Sequence, residues 1–442
     1  MRALVAGGAR VVAWDSSEVV RNSILPGTGR GTSGAGGGAE PRVMPLVESP
    51  LHRPLDGPPP RAGEDIEIAD PLTFDLTGFD GVIVSPGVPL NRHSIREHAG
   101  DVPVIGDIEL FAQARGDLPP HRVVGITGTN GKSTTTALVQ HILEAAGVPS
   151  LMGGNIGLPI LAQEPLPEGG VYVLELSSYQ IDLTRNLDCD LAVLLNITPD
   201  HLDRYDGFDA YAASKARLFA MQSARHAAIV GIGDDASAAI AKQVARSGRS
   251  EDLTKIAPGV CMDQSRWPAL QGPHNAQNAL AAIAVCEALG VSNAAIDAGL
   301  ASFAGLRHRM ERVATVGGVL YVNDSKATNP TSTAPALQAF DRIHWIVGGQ
   351  AKTDDLDACR PGFGNVTRAY TIGEAGERFA ALLAPDMAVE QAGTLAQAVT
   401  QAAAQAEAGD TVLLSPACAS FDQFRDYEDR GEQFRRAVGA LT

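Results

Sequence analysis

The sequence predicts an α/β protein built mostly on parallel sheets. Seven short aliphatic runs alternate with Ala-rich segments of helical pattern, and this alternation is typical of β-α-β units. The runs are VVGIT, YVLELS, LAVLLNI, AAIVGI, VLYVND, IHWIVGG and TVLLSPA. A chain of 442 residues suggests about three domains. We place the boundaries near residues 105 and 305, which gives domains at 1–105, 106–305 and 306–442.

The composition limits the classes of partner. The formal net charge of -16 would repel nucleic acid and anionic membranes, and 45% of the residues are hydrophobic, as in a globular protein. No run is long enough to span a membrane and the N-terminus does not resemble a signal peptide, so we expect a cytoplasmic protein. The five cysteines are scattered without CxxC spacing, which indicates neither a disulfide framework nor a zinc site.

The first hundred residues are the least regular part of the sequence. RALVAGGARVVAWDSS predicts the end of a helix, a glycine C-cap and a strand that ends at Asp15. Residues 26–63 are rich in glycine and proline and show no sustained period, so we expect an irregular loop there. GRGTSG matches a dinucleotide-binding pattern in its letters only, because it neither follows a strand nor opens a helix.

Residues 122–147, RVVGITGTNGKSTTTALVQHILEAAG, predict a phosphate-binding loop between a strand and a helix. Gly128 and Gly131 allow successive N–H groups and the helix N-terminus to face one anion. Lys132 adds a positive charge, and the Ser133 hydroxyl can bind Mg²⁺. The spacing differs from the common Walker pattern by one residue at the first glycine, but the strand-to-helix context supports nucleotide phosphate binding.

Polar residues follow the next strands. Asn155 lies among the glycines of GGNIGLPI, where a plain turn is an equally good interpretation. Glu175 ends the apolar strand VYVLELS, and we interpret it as a second magnesium ligand in preference to a member of a structural ion pair. His201 follows LAVLLNI, and Lys215 lies in the helix after it. From periodicity alone, these two are a capping or packing histidine and a solvated lysine.

The last third of the sequence places polar clusters at three strand ends. Before it, Asn275 and Asn278 share one helix face, either to meet a polar ligand or simply as a helix N-terminus. Loops at the carboxyl ends of strands are where open α/β sheets bind ligands, so we expect a substrate site here. The polar residues at these strand ends are Asp324, Ser325, Lys326, Thr328, Lys352, Ser415, Ser420, Asp422 and Tyr427.

Taken together, the motifs of this chain resemble those of the Mur ligases of peptidoglycan synthesis. They are GTNGKST, GGNIG, LELSSYQ, TPDHLDRY, HNAQNALAA, LRHRME, NDSKATNP, GGQAK and SPACASFDQF, and they follow the family order from about Ser85 onward. The resemblance implies an ATP-dependent amide ligase of three domains. These are an incomplete, Rossmann-like N-terminal UDP-binding domain, a central P-loop ATPase-like domain with a parallel sheet, and a Rossmann-like C-terminal domain.

The resemblance also implies the reaction. In this family ATP phosphorylates a substrate carboxylate, and an amine then attacks the acyl phosphate. The implied substrates are UDP-N-acetylmuramoyl-L-alanine and D-glutamate, and a monomer without nucleic-acid or membrane partners is expected. Two Mg²⁺ ions would assist, one held by Ser133 and Glu175 and the other by His201 and a carbamylated Lys215. A carbamate gives the second site the carboxylate-like ligand that an unmodified lysine cannot supply.

The family motifs map onto individual residues of this chain. The implied catalytic residues are Lys132, His201, Lys215 and Lys326. The implied ATP-binding residues are Gly128, Thr129, Asn130, Gly131, Lys132, Ser133, Thr134, Asn275, Asn278, Arg309 and Asp324. The implied contacts to D-glutamate are Thr328, Lys352, Ser420, Phe421 and Tyr427, and those to the uridine nucleotide are Asp15, Ser85, Pro86, Gly87 and Asn155.

The N-terminal part departs from the family pattern. The family opens with a strand and a Gly-rich turn, and this chain begins after both, through a mis-assigned start or a genuine truncation. We expect the reaction with ATP to be retained and the affinity for the UDP substrate to be the property that this departure lowers. Two other readings of the whole chain are a folylpolyglutamate synthase-like ligase and a nucleotide-binding protein that has lost ligase activity.

Overall fold

A computed structural model of the chain describes Leu4 and residues 7–15, 66–257, 263–351 and 353–441. The irregular loop expected at 26–63 and the candidate residue Lys352 lie outside the described residues. Contacts group the chain into two compact units. The first is formed by residues 1–107 and 161–164, and the second by residues 108–160 and 165–442.

The first unit contains two small parallel ladders. Strand β1 (Val11–Ala13) pairs with β2 (Ile66–Ile68), and β3 (Val82–Ile83) pairs with β4 (Val104–Ile105). The strand expected to end at Asp15 is present as β1 and ends two residues earlier. A short helix, Ile95–Ala99, buries its first and last residues.

The second unit contains two sheets of six described strands each. The first sheet has the order β10-β9-β8-β5-β7-β6, and every ladder in it is parallel. Its strands are β5 (His121–Thr127), β6 (Ser150–Gly154), β7 (Gly170–Glu175), β8 (Leu191–Leu194), β9 (Ala227–Gly231) and β10 (Leu253–Ile256). Because all six run the same way, the loops that follow them meet at one edge of the sheet.

The other sheet has the order β11-β12-β16-β13-β14-β15. Strand β11 is antiparallel to β12, and the remaining ladders are parallel. The strands are β11 (Glu311–Val316), β12 (Val319–Asn323), β13 (Ile343–Gly348), β14 (Val366–Ile372), β15 (Ala388–Gly393) and β16 (Thr411–Leu414). The seven strands predicted from the aliphatic runs are confirmed in the two sheets, whereas β6, β10, β11, β14 and β15 were not predicted.

Helices connect the strands of the second unit. Six of them begin with a side-chain cap that accepts a hydrogen bond from a backbone N–H three residues later. The capping residues are Ser177, Asp234, Ser292, Asn329, Thr394 and Asp426. The helices are Asp107–Ala114, Lys132–Ala145, Ser178–Asp182, Gly207–Ala220, Asp235–Val244, Pro273–Ala288, Asn293–Ser302, Pro330–Leu337, Gly376–Leu383, Leu395–Gln405 and Tyr427–Gly439. Shorter turns of 3-10 or π helix lie at Arg115–Asp117, Ile160–Ala162, Ala245–Arg249 and Asp357–Asn365.

Both faces of the sheet β11–β16 are packed. Along β13, Trp345 joins the hydrophobic cluster that contains Phe379, whereas the next residue, Ile346, joins the cluster that contains Tyr370. A strand covered on both faces is apolar at nearly every position, which is why IHWIVG was recognisable as a strand. The exception, His344, is buried with hydrogen bonds to Tyr370 and Asp410. Among the helices of the described residues, none combines the length and the apolar character needed to cross a membrane.

Candidate functional site

The phosphate-binding loop lies between β5 and the helix Lys132–Ala145. Gly128 has φ +153° and Gly131, the residue before the helix, has φ +86°. Side chains rarely adopt these conformations, and a Cβ at Gly131 would also overlap the amide oxygen of Asn278. The glycines therefore give the loop the bent backbone that the sequence predicted, while the Thr129 and Asn130 N–H groups donate to Asn196 O and Oδ1, both at 2.9 Å.

Two lysines converge on this loop. Lys132 Nζ donates to the carbonyl oxygens of Gly128 (3.0 Å) and Thr129 (2.9 Å), and Lys215 Nζ also donates to Gly128 (3.0 Å). Lys215 is only 1% exposed, so its reading as a solvated surface lysine is wrong. Burial, together with the positive charge of Lys132, holds the pKa of Lys215 well below its usual range. Burial also lowers the pKa of Lys132.

Ser133 and Glu175 form the centre of the site. The Ser133 hydroxyl donates to Glu175 Oε2 at 2.5 Å, and Arg309 Nη2 donates to Ser133 Oγ at 2.7 Å. Asn155 Nδ2 donates to Glu175 Oε1 at 3.0 Å. Glu175 is 2% exposed, so this carboxylate is compensated by hydrogen bonds rather than by water. Two adjacent oxygen ligands of this kind suit Mg²⁺.

His201 is much more exposed than Lys215. Its backbone has φ +55° and its N–H donates to Asp200 Oδ1 at 3.0 Å. Its ring Nε2 lies 3.5 Å from Asp200 Oδ2, and its side chain is 43% exposed. Lys215 instead lies against the Tyr211 ring, with Nζ 4.7 Å from the ring centroid. Within the described part of the chain, no three His, Cys, Asp or Glu side chains form a group that could hold a metal ion.

A hydrogen bond from a threonine hydroxyl connects the helix Lys132–Ala145 to the helix Pro273–Ala288, and a second one joins two asparagines within the latter helix. Asn278 Oδ1 accepts from Thr135 Oγ1 (3.3 Å), and Asn278 Nδ2 donates to Asn275 Oδ1 (3.1 Å). Both asparagines are buried. They line one cleft together with other predicted nucleotide residues, namely Asn130, Gly131, Thr134, Arg309, Asp324 and Lys326.

The end of β12 contributes a carboxyl group and an amine to this cleft. Asp324 accepts from Ser415 Oγ (2.8 Å) and from the Met310 N–H (3.1 Å), and burial raises its pKa to about 7. Lys326 Nζ lies 3.8 Å from the centroid of the Tyr427 ring. Burial, with a smaller effect of the Arg309 charge, lowers the pKa of Lys326 to about 8.

The candidate residues for the amino-acid substrate are less clearly assembled. Ser420 is buried, Thr328 is half-buried and Phe421 is 69% exposed. The Tyr427 hydroxyl donates to Glu428 Oε1 at 2.9 Å. The candidates Asp15, Ser85, Pro86 and Gly87 lie in the first unit, where the Ser85 carbonyl accepts from the Val88 N–H at 3.0 Å in a turn after β3.

Two residues of this region were missed from the sequence. Tyr211 approaches the Thr129 hydroxyl at 3.1 Å, and its position four residues before Lys215 was a usable signal, because such pairs share a helix face. Arg430 is fully buried and donates to Ser325 Oγ (2.9 Å), Ser325 O (2.8 Å), Cys418 O (3.0 Å) and Ala419 O (3.3 Å). No local pattern marks it, since its partners are far away in the sequence.

Comparison with known proteins gives two family models that match parts of this chain. Residues 126–286 match the family model described as the Mur ligase middle domain, and residues 308–418 match the one described as the Mur ligase, glutamate ligase domain. A UDP-N-acetylmuramoylalanine–D-glutamate ligase from Novosphingobium aromaticivorans is 57% identical over 100% of this chain and 91% of that protein. The ligase of the same name from Zymomonas mobilis is 55% identical over 99% of this chain and 94% of that protein.

Solved structures share the fold. MurF ligase from Thermotoga maritima in complex with ADP superposes with a TM-score of 0.59 at 16% identity, covering 79% of this chain and 92% of that one. E. coli FolC in complex with DHPP and ADP gives a TM-score of 0.56 at 20% identity, covering 81% and 100%. At these identities the likeness concerns the α/β fold with its parallel sheets alone.

Proposed function

From the premise that this chain belongs to the Mur ligase family, we propose that it is an ATP-dependent ligase that joins D-glutamate to UDP-N-acetylmuramoyl-L-alanine in peptidoglycan synthesis. The observation that carries the proposal is the 57% identity over the whole chain to a relative with that activity in its name. The cleft at the phosphate loop is consistent with it, because it contains the cations and amides that an ATP-dependent reaction needs.

The nucleotide would lie in the cleft beside the phosphate loop. In this proposal residues 128–134 surround the phosphates, and Lys132 and the N–H groups of residues 131–134 contact them, because the Thr129 and Asn130 N–H groups already donate to Asn196. Asn275, Asn278 and Asp324 would hold the rest of the nucleotide. Arg309 donates to Ser133 Oγ, and Lys132 Nζ donates to the carbonyls of Gly128 and Thr129 in the same loop, so both would bring positive charge to a transferring phosphoryl group.

One magnesium ion would be held by Ser133 and Glu175, whose oxygens are adjacent and of the type that Mg²⁺ prefers. When bound, Mg²⁺ neutralises charge on the phosphates. A second ion would need His201 together with Lys215 as a carbamate. The low pKa of Lys215 favours the uncharged amine, whose nitrogen can add to the carbon of CO₂ with release of a proton.

The reaction would proceed in two steps. The carboxylate oxygen of the UDP substrate attacks the γ-phosphorus and ADP leaves. The amine of D-glutamate then attacks the acyl carbon, phosphate leaves and the nitrogen loses a proton. Lys326, three residues after β12 and close enough to Arg309 and Glu175 for their charges to act on it, would hold the transferring phosphoryl oxygens between the two steps.

The two substrates would be held by the remaining candidates. We assign D-glutamate to Thr328, Lys352, Ser420, Phe421 and Tyr427. We assign the uridine nucleotide to Asp15, Ser85, Pro86, Gly87 and Asn155. The proposal includes three domains, at 1–105, 106–305 and 306–442, and a monomer in the cytoplasm.

Phosphate release by the purified chain with ATP, Mg²⁺, UDP-N-acetylmuramoyl-L-alanine and D-glutamate tests the proposal, with the product identified by mass. We expect release that requires both co-substrates and that is lost in Lys132→Ala. Reactions with L-glutamate alone, or with a reduced folate and L-glutamate, are the controls. Turnover of the folate would replace the proposal with a folylpolyglutamate synthase-like activity, and ATP binding without any turnover would favour an inactive nucleotide-binding protein.

A further inference from the structure

Arg309 lies on a turn whose backbone is unusual. Its guanidinium donates to Ser133 Oγ at 2.7 Å. The residues on either side of it, His308 (φ +63°) and Met310 (φ +49°), are both in the left-handed region. This conformation is unfavourable for residues with a Cβ, so the surrounding structure must fix the turn.

Four hydrogen bonds hold the backbone of the turn, and in one of them the Arg309 N–H donates to the Leu306 carbonyl (3.2 Å). The Lys326 N–H donates to the His308 carbonyl (3.0 Å), and the Met310 N–H donates to Asp324 Oδ1 (3.1 Å). The His308 N–H donates to Glu311 Oε2 at 2.9 Å. The turn is therefore attached to the loop that follows β12, which itself contributes to the candidate site.

The His308 ring adds a side-chain attachment. It is 6% exposed, and its Nδ1 lies 3.0 Å from Asn323 Nδ2. That amide nitrogen also donates to Glu311 Oε2 (3.0 Å) and to the Gly431 carbonyl (3.2 Å). Because an amide nitrogen only donates, Nδ1 acts as the acceptor. Since Asn323 has two N–H groups for three acceptors, its hydrogen bond to the ring is shared, and on the other side the ring Nε2 lies 3.7 Å from Glu432 Oε1.

Gly431 makes room for this ring. It lies inside the helix Tyr427–Gly439, where glycine is a poor choice for helix stability. A Cβ at this position would overlap His308 Nδ1, and it would also lie only 2.9 Å from the ring carbons Cγ and Cε1. A glycine inside a helix at such a contact has a packing reason.

We propose that His308 is a positioning residue that directs Arg309 onto Ser133, and that Gly431 is required because it leaves space for the His308 ring. The inference rests on the proposed function, in which Arg309 contacts ATP. His308 acts through Arg309 and does not itself touch the reacting groups.

The test is Gly431→Ala, with Gly439→Ala as the matched control in the same helix. A Cβ at Gly439 would meet nothing within 4 Å, so the control should behave like the parent. Since alanine favours a helix, Gly431→Ala should keep the melting temperature close to that of the parent, and kcat/KM for ATP should fall roughly ten- to a hundredfold. In an Arg309→Ala background the same substitution should change kcat/KM by less than about twofold, because the two sites act as one.

Variants of His308 separate the ring from the backbone. His308→Gly tolerates the positive φ but lacks the acceptor, and should lose activity like Gly431→Ala. His308→Asn tolerates the positive φ and keeps an acceptor, so it should retain more activity than His308→Gly. The proposal would be overturned if kcat/KM for ATP is undiminished in Gly431→Ala. It would also be overturned if Gly431→Ala lowers kcat/KM by the same factor in the Arg309→Ala background as in the parent. If the parent shows no turnover, the proposed function fails, and affinity for a non-hydrolysable ATP analogue, measured on the same variants, still decides the positioning role.

Discussion

Arg430 provides the sharpest stability prediction, because a methionine of similar length can replace its side chain while the hydrogen bonds of the guanidinium are lost. In Arg430→Met the apolar stem is replaced by a similar one, and the hydrogen bonds to four acceptors are lost. Two of the acceptors keep another bond, since Ala419 O accepts from the Gln350 N–H and Ser325 Oγ donates to Tyr427 O.

The carbonyl oxygens of Ser325 and Cys418 lose the hydrogen bond that each accepts from Arg430 Nη2. A buried acceptor without a partner costs about 1–3 kcal/mol, so the expected loss in the free energy of unfolding is about 2–6 kcal/mol. Arg430→Lys keeps a charge but not the geometry of the guanidinium, and should lose an intermediate amount. Burial lowers the pKa of Arg430 to about 10, so the parent side chain is charged at neutral pH.

Urea unfolding followed by Trp345 fluorescence measures this loss. Trp345 is fully buried in β13 and donates to the Ser415 carbonyl at 2.7 Å, so it reports on the sheet that Arg430 supports. A Trp14→Phe, Trp267→Phe background isolates its signal. With a slope of about 1–3 kcal/mol/M, the midpoint should fall by roughly 1 M or more. A midpoint that moves by less than about 0.3 M would refute the claim that the two carbonyls destabilise the fold when they lose Arg430.

Three further predictions concern the candidate site. The pKa of Lys326 is lowered to about 8, so its cation is lost as pH rises through that value, and kcat/KM should fall on this alkaline limb. Lys326→Arg keeps its charge and should flatten the limb; an unchanged profile would contradict the role of Lys326. Glu175→Gln keeps the shape but loses the charge, so the Mg²⁺ concentration for half-maximal activity should rise at least about tenfold, and an unchanged requirement would remove Glu175 from the magnesium site. Gly128→Ala places a Cβ 3.1 Å from Leu195 Cβ at φ +153°, so ATP affinity in calorimetry should fall more than about tenfold while Gly116→Ala, which meets nothing within 4 Å, leaves it unchanged.

The part of the site that could be predicted from the sequence is the part encoded locally. A strand, glycines, Lys132 and Ser133 in one run specify the phosphate loop without any tertiary information. The approach of Glu175 to Ser133 could be predicted as well, because both follow parallel neighbouring strands whose carboxyl ends meet.

The rest depends on contacts that no local pattern contains. Arg430 donates to Ser325, 105 positions earlier, and the sequence around it reads as an ordinary charged helix. The unpredicted strands β14 and β15 carry polar residues or glycine within short runs, which weakens the strand signal. The pairing of His201 with Asp200 is a local contact, but a single aspartate beside a histidine occurs too often in loops to predict it.

Strand β16 has a consequence for synthesis of the chain. It follows the other five described strands of its sheet in the sequence, yet it lies between β12 and β13. The inner ladders of β12 and β13 cannot form until residues 411–414 have been synthesised, because both strands pair with β16. Any state of the chain that lacks β16 leaves an edge of β12 and an edge of β13 open to pairing with another chain. In the described sheet these two edges are covered by a strand of only four residues, Thr411–Leu414, that comes late in the sequence.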